Sequence, residues 1–252
     1  MPRILPICLG FALAAVLCGP AQAYVLPAEQ ILGFSVTAMG DPGRLSTTEA
    51  LVLYPEKPAA RRPEAILLET FPEVVGPYSS AYKAGEPEAC TCTVHASWRP
   101  PDSFREQVDC PETDRLFVVS GGEAAWFSEG RLMDTTEGPL DAFKDLLLVR
   151  DAELLADKLY FSGVDLSVTS LGMWEGVVVW VVGAQYPDES VPQVWVERKS
   201  RLPVRYIITR AAARGRRGLE VRYRDWVNLR TPRRPVMFPQ TIRFYENGRL
   251  VR

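Results

Sequence analysis

Leu219-Glu220-Val221-Arg222-Tyr223-Arg224 alternates strictly between apolar and charged side chains. Its neighbours repeat the pattern: Val204, Tyr206 and Ile208 alternate with Arg205 and Thr209, and Ile242 and Phe244 flank Arg243. A period of two marks a strand with one dry and one wet face. From residue 163 onward the chain reads as strands at 166–171, 177–184, 193–198, 203–210, 219–227 and 239–245. The turns between them are short and carry Trp174-Glu175-Gly176, Tyr186-Pro187-Asp188, Lys199-Ser200-Arg201 and residues 213–218. Strands that follow one another through short turns make an antiparallel meander, because parallel pairing needs long crossovers.

Toward the N-terminus, Ile31, Leu32, Val36 and Met39 recur at helical spacing over residues 27–39, between Pro27 and Gly40-Asp41-Pro42. Strands follow at 47–54 and 65–71, then a Pro/Gly/Ser/Tyr-rich loop at 72–89. Segments 91–98 and 104–110 flank Arg99-Pro100-Pro101-Asp102-Ser103 as a hairpin, and strands 115–120 and 124–128 meet at Gly121-Gly122. Leu140, Phe143, Leu146 and Leu147, then Leu154, Leu155 and Leu159, mark two short helices broken near Arg150-Asp151. A sheet of about eleven strands curls rather than stays flat. The expected architecture is therefore mainly β: a curved antiparallel sheet with three amphipathic helices over its concave apolar face.

The first residues address the chain for export. Arg3 precedes an apolar run over 4–18, and Ala21-Gln22-Ala23 reads as a small-x-small cleavage site. The run is shorter than the roughly 20 residues of a membrane span. Residues 1–23 are thus read as a signal peptide and 24–252 as one domain in the periplasm. A lipidated Cys18 is the rival reading, against which Leu17 stands in place of a small residue. The formal net charge of −2, made more negative by loss of Arg3, excludes a generally basic chain, and no nucleic acid is expected as partner.

Three cysteines remain after the leader. With Trp98 facing Phe104 across the hairpin, Val94 faces Val108 and Cys92 faces Cys110, at cross-strand spacing that suits a disulfide. The expected bridge is Cys92–Cys110, with Cys90 replacing Cys92 if the register shifts. Cys90, Cys92, His95 and Cys110 could also be four zinc ligands. Strand parity puts the first two thiols on one face and His95 on the other, which fits a bridge better, and no metal is expected. His95 is the one histidine, and G-x-S-x-G, H-E-x-x-H, P-loop and dinucleotide motifs are absent from the sequence. No catalytic residue, no cofactor and no enzyme activity are expected. Arg210 to Arg217 and Arg230, Arg233 and Arg234 make two basic turns, solvated tips or contacts to an anionic surface.

Trp126, Trp174, Trp180, Trp195 and Trp226 each suit sheet packing, and together with valines they also suit a cavity for apolar ligands. The mature chain resembles the LolA-like family of periplasmic lipoprotein carriers and outer-membrane lipoprotein-sorting proteins. The resemblance lies in Ala38-Met39-Gly40-Asp41-Pro42, Pro100-Pro101-Asp102-Ser103-Phe104-Arg105 and Gly163-Val164-Asp165. It extends through Pro192-Gln193-Val194-Trp195-Val196-Glu197-Arg198, Leu202-Pro203-Val204-Arg205, Phe238-Pro239 and Tyr245-Glu246-Asn247-Gly248. It implies an incomplete β-barrel of about eleven strands with a helical lid over a cavity for acyl chains. On inward parity that cavity is lined by Trp180, Val182, Val204, Tyr206, Ile208, Val221, Tyr223, Ile242 and Phe244. The function implied is a carrier that sequesters acyl chains of lipoproteins or lipids for delivery to the outer membrane, with transient membrane-protein partners. The alternative is a periplasmic sensor or regulatory module of the same fold that binds a protein.

Overall fold

The computed structural model describes residues 25–53, 90–111, 113–212, 215–229 and 236–252. The leader at 1–23, the strand expected at 65–71, the loop at 72–89 and Arg230, Arg233 and Arg234 lie outside the described residues, as do the side chains of the other basic turn.

The first helix, α1 (Ala28–Met39), turns Ala28, Ile31, Leu32, Ser35 and Met39 inward. It stops at Gly40, whose positive φ of 70° suits glycine and whose N–H donates to the Val36 carbonyl at 3.2 Å. Strands β1 (Leu45–Leu53), β2 (Cys90–Arg99), β3 (Ser103–Cys110), β4 (Thr113–Ser120), β5 (Glu123–Ser128) and β6 (Arg131–Asp134) follow. A 3-10 helix (Pro139–Lys144) then leads into α2 (Asp145–Leu148) and α3 (Ala152–Phe161). The chain ends in β7 (Thr169–Trp174), β8 (Val177–Val182), β9 (Gln193–Glu197), β10 (Pro203–Ala212), β11 (Gly215–Asn228), β12 (Met237–Glu246) and β13 (Arg249–Leu250).

The strands pair in chain order, as expected of a meander, but in two sheets rather than one. Among the described residues six strands form β1-β2-β3-β4-β5-β6 and seven form β13-β12-β11-β10-β9-β8-β7, all antiparallel, and these two sheets do not close into a barrel. The break falls where the chain leaves β6 for the helices. Every residue of β6 is exposed, Leu132 and Met133 included, so this four-residue edge strand has no buried face. Neither β6 nor β13 shows enough alternation to be read from sequence. β7 starts three residues later than expected because the Asp165 carboxylate accepts from the Ser167 N–H at 3.0 Å and its hydroxyl at 2.6 Å, holding a turn there.

One core joins both sheets to the helices. Trp98 meets Phe104 at 4.4 Å within the first sheet and Phe238 of the second at 5.5 Å. Phe143 of the 3-10 helix is wedged between them, 6.1 Å from Trp98 and 5.2 Å from Phe244. Since Trp98 links three elements, Trp98→Ala should cost about 3–5 kcal/mol. Leu132→Ala on exposed β6 should stay within about 0.5 kcal/mol. Urea denaturation followed by tryptophan fluorescence should show both, with a single transition for the two sheets together.

Candidate functional site

The inner face of the second sheet was the expected binding surface. Trp180, Val182, Tyr206, Ile208, Val221, Tyr223 and Phe244 all lie in the main core, with Ile242 half-buried against it. Val204 does not. It packs on the opposite face with Val179, Val181, Ala184, Trp195 and Ile207. Between Pro203 and Arg205 the register shifts against β9, where Pro203 pairs with Val196 and Arg205 with the next residue, Trp195. The extra residue is a β-bulge, and it turns Val204 outward.

The helices sit directly on this face. Ile31, Leu32 and Met39 of α1, Leu146 and Leu147 of α2 and Leu155 and Leu159 of α3 are buried in the same cluster. A pocket of about 370 Å³ lies elsewhere, at the edge of the second sheet, lined by Val177, Val178, Glu197, Arg198 and Lys199.

A polar seam pins part of this cover to the sheets. Lys144, with no exposed surface, donates to Glu137 at 2.6 Å and to Asp145 at 3.2 Å. The Tyr223 hydroxyl donates to the Phe143 carbonyl at 2.9 Å, and Arg252 pairs with buried Glu106. Asp141 accepts from the Gly138 N–H at 2.6 Å and lies 3.9 Å from Arg115. Burial raises its carboxyl pKa to about 6, against the pull of Arg115. Sequence reading missed Lys144, although its place four residues after Leu140 and three before Leu147 puts it on their apolar stripe.

The Cys92–Cys110 bridge forms as expected, with Cα atoms 4.5 Å apart, and Trp98↔Phe104 and Val94↔Val108 hold the predicted register. Cys90 is free, its sulfur 3.8 Å from that of Cys92. The three sulfurs gather within 4.8 Å. His95 lies apart from them on the wet face of β2, half-exposed, with Thr48 at 3.3 Å and Asp109 at 3.9 Å. The four residues weighed as zinc ligands are therefore not brought together.

Trp174 and Trp195 lie outside the main core. The two rings meet edge to face at 5.5 Å, and Arg205 lays its guanidinium against both, 4.4 and 4.6 Å from the ring centroids, while it binds Glu189 and Glu220 through four hydrogen bonds. This ladder anchors the loop before β9 to the outer face.

These features define a mainly β protein of two open antiparallel sheets whose inner faces are covered by helices. Among the described residues no helix is long and apolar enough to cross a membrane. No known family profile and no curated protein matches the chain. Among solved structures it is similar to a LolA superfamily protein from Nitrosomonas europaea, with 11% identity over 88% of this chain and 87% of that one, and a TM-score of 0.47.

Two outcomes follow for the site. Alkylation under non-reducing conditions should label Cys90 alone, and Cys110→Ser should lower stability by about 3 kcal/mol in urea titrations. The unfolded chain holds the Asp141 proton only below about pH 4, the folded one up to about pH 6. Stability should therefore fall as pH rises through that interval, by roughly 1–3 kcal/mol, and Asp141→Asn should flatten the profile.

Proposed function

We propose that the protein is a periplasmic carrier that buries acyl chains of a lipid or lipoprotein against the inner faces of its sheets, with α1 as the removable cover. The observation that carries this reading is that α1 seals the interior by packing alone. Phe34 meets the Trp180 ring at 6.1 Å and lies under Arg201 at 4.8 Å. Among the described residues no side-chain hydrogen bond joins α1 to a strand, and Thr37 donates only within the helix. Ser35, on the packed side, leaves its hydroxyl without a partner. The 3-10 helix and α2, by contrast, are tied by the polar seam.

Among the described residues the inward side chains of the second sheet and those of the helices share one buried core, so on this reading cargo enters in place of the helix rather than beside it. Such an exchange is thermodynamically reasonable. An acyl chain offers the same apolar contact that α1 gives up, at about 0.8 kcal/mol per buried methylene, or roughly 10 kcal/mol for a dozen carbons. The leader read at residues 1–23 supports export to the compartment where such cargo travels.

A second reading, the regulatory module, is favoured by the edge of the second sheet. Leu171, Met173, Val177 and Val178 are exposed on β7 and β8 beside the pocket already described. An extended segment of a protein partner could add to β7 there.

Protein purified without detergent should yield lipid in organic extracts by mass spectrometry and take up a fluorescent fatty acid. An ideal Cβ on Gly33 lies 3.9 Å from that of Ala152, within disulfide reach. Oxidised Gly33→Cys/Ala152→Cys should therefore lock α1 to α3 and reduce uptake at least tenfold relative to the same variant alkylated beforehand. Unchanged uptake would remove α1 as the cover. Clean extracts, no uptake and a single protein captured by a photo-cross-linker at Val178 would select the regulatory reading.

A further inference from the structure

Arg150 lies between α2 and α3, directly after Leu148 and Val149, both buried in the main core. All three guanidinium nitrogens are buried, and none has a hydrogen-bond partner among the described residues. The carboxylate that acts on it is Asp41, just past the C-terminal end of α1, and it acts only through space. Asp41 is itself engaged locally, accepting from the Gly43 N–H at 2.7 Å.

The contrast with the other buried cations is sharp. Lys144 has Glu137 and Asp145, Arg205 has Glu189 and Glu220, and Arg252 has Glu106. A buried charge without a counter-ion is strongly unfavourable, and an arginine cannot relieve it by losing its proton. Burial lowers the Arg150 pKa only to about 10, with Asp41 opposing, so the group remains a cation near neutral pH. No described residue hydrogen-bonds to this cation, so an anion entering from outside would meet a demand that the described residues leave open.

Two features identify its chemistry. The guanidinium fork matches the oxygens of a carboxylate or phosphate. Its position also joins the charge to the core, since Leu148 and Val149 are contiguous with it in the chain and Asp41 places it at the α1 seam. We propose that Arg150 receives the anionic head of a single-chain amphiphile whose tail replaces α1 over the core. This inference rests on the acyl-carrier reading and specifies its ligand.

Calorimetric titration with dodecanoate, dodecyl phosphate and dodecanol, each below its aggregation threshold, tests it on the protein and on Arg150→Gln. Both anions should bind at least tenfold more tightly than dodecanol, and the tighter of the two identifies the head group. Arg150→Gln should abolish the preference while leaving dodecanol affinity within twofold. Equal affinities in the unaltered protein, or a preference that survives Arg150→Gln, would overturn the assignment and leave the carrier reading intact. No binding of any of the three would overturn both. Should Arg150→Gln fail to fold, Asp41→Asn carries the test. Removing the one described carboxylate that acts on Arg150 should tighten dodecanoate several-fold without changing dodecanol, and an unchanged ratio would count against Arg150.

Discussion

Two meanders that do not close leave two apolar faces, and the structure depends on joining them. Trp98, Phe143, Phe238 and Phe244 perform that task, one ring from the first sheet, one from the 3-10 helix and two from the second sheet. The sheets touch directly through Trp98 and Phe238, and Phe143 fills the space beside that contact against Trp98 and Phe244. The helical stretch from 139 to 161 is therefore both the interruption that divides the meander and the filler that reunites its halves. A closed barrel would have needed neither, since closure removes edges and encloses its own interior.

The covering helices are attached by different physics. The 3-10 helix and α2 carry Lys144, tied to Glu137 and Asp145, Asp141, which accepts from the Gly138 N–H and lies beside Arg115, and the Phe143 carbonyl, which accepts from Tyr223, and such links are specific in direction. α1 carries no equivalent tie to a strand among the described residues, and its seal is non-directional. Packing of that kind can be exchanged for any apolar surface of suitable size, whereas the polar seam can be opened only by leaving its members unpaired. The same helical cover thus has one part that resists displacement and one part suited to it.

Much of this was legible in the sequence. Alternation at Leu219 to Arg224 reports which face is wet, because a strand's side chains point to opposite faces in turn. Trp98 opposite Phe104 sets a register from which Cys92–Cys110 follows. What escaped was set by single residues or by long-range partners. The bulge at Val204 breaks parity directly after Pro203, a proline in a strand that marks such a site but does not say which way the next side chain turns. The four residues of β6 are too few and too exposed to alternate, and the division into two sheets depends on where that edge ends. Lys144 and Arg150 were hidden for opposite reasons. Lys144 is buried because Glu137 and Asp145 meet it there, and Arg150 is buried where nothing described does, so neither environment could be inferred from the residue type.

The proposed carriage of cargo requires a cover that can be displaced, and the energetics favour such a cover over a trough left open. An open trough lined by Trp180, Val182, Tyr206, Val221 and Phe244 would expose a continuous apolar surface and invite aggregation. Closing it with a tightly matched helix would make cargo unable to compete. The closed form described here lies between these limits, because α1 covers the trough while the Ser35 hydroxyl and the Arg150 guanidinium have no hydrogen-bond partner among the described residues. Each unmet polar group raises the free energy of the closed state without exposing apolar surface. On the proposed carrier reading, cargo needs to supply only the apolar contact that α1 surrenders, and the anionic head proposed for Arg150 would add an interaction that the described residues of the closed form lack.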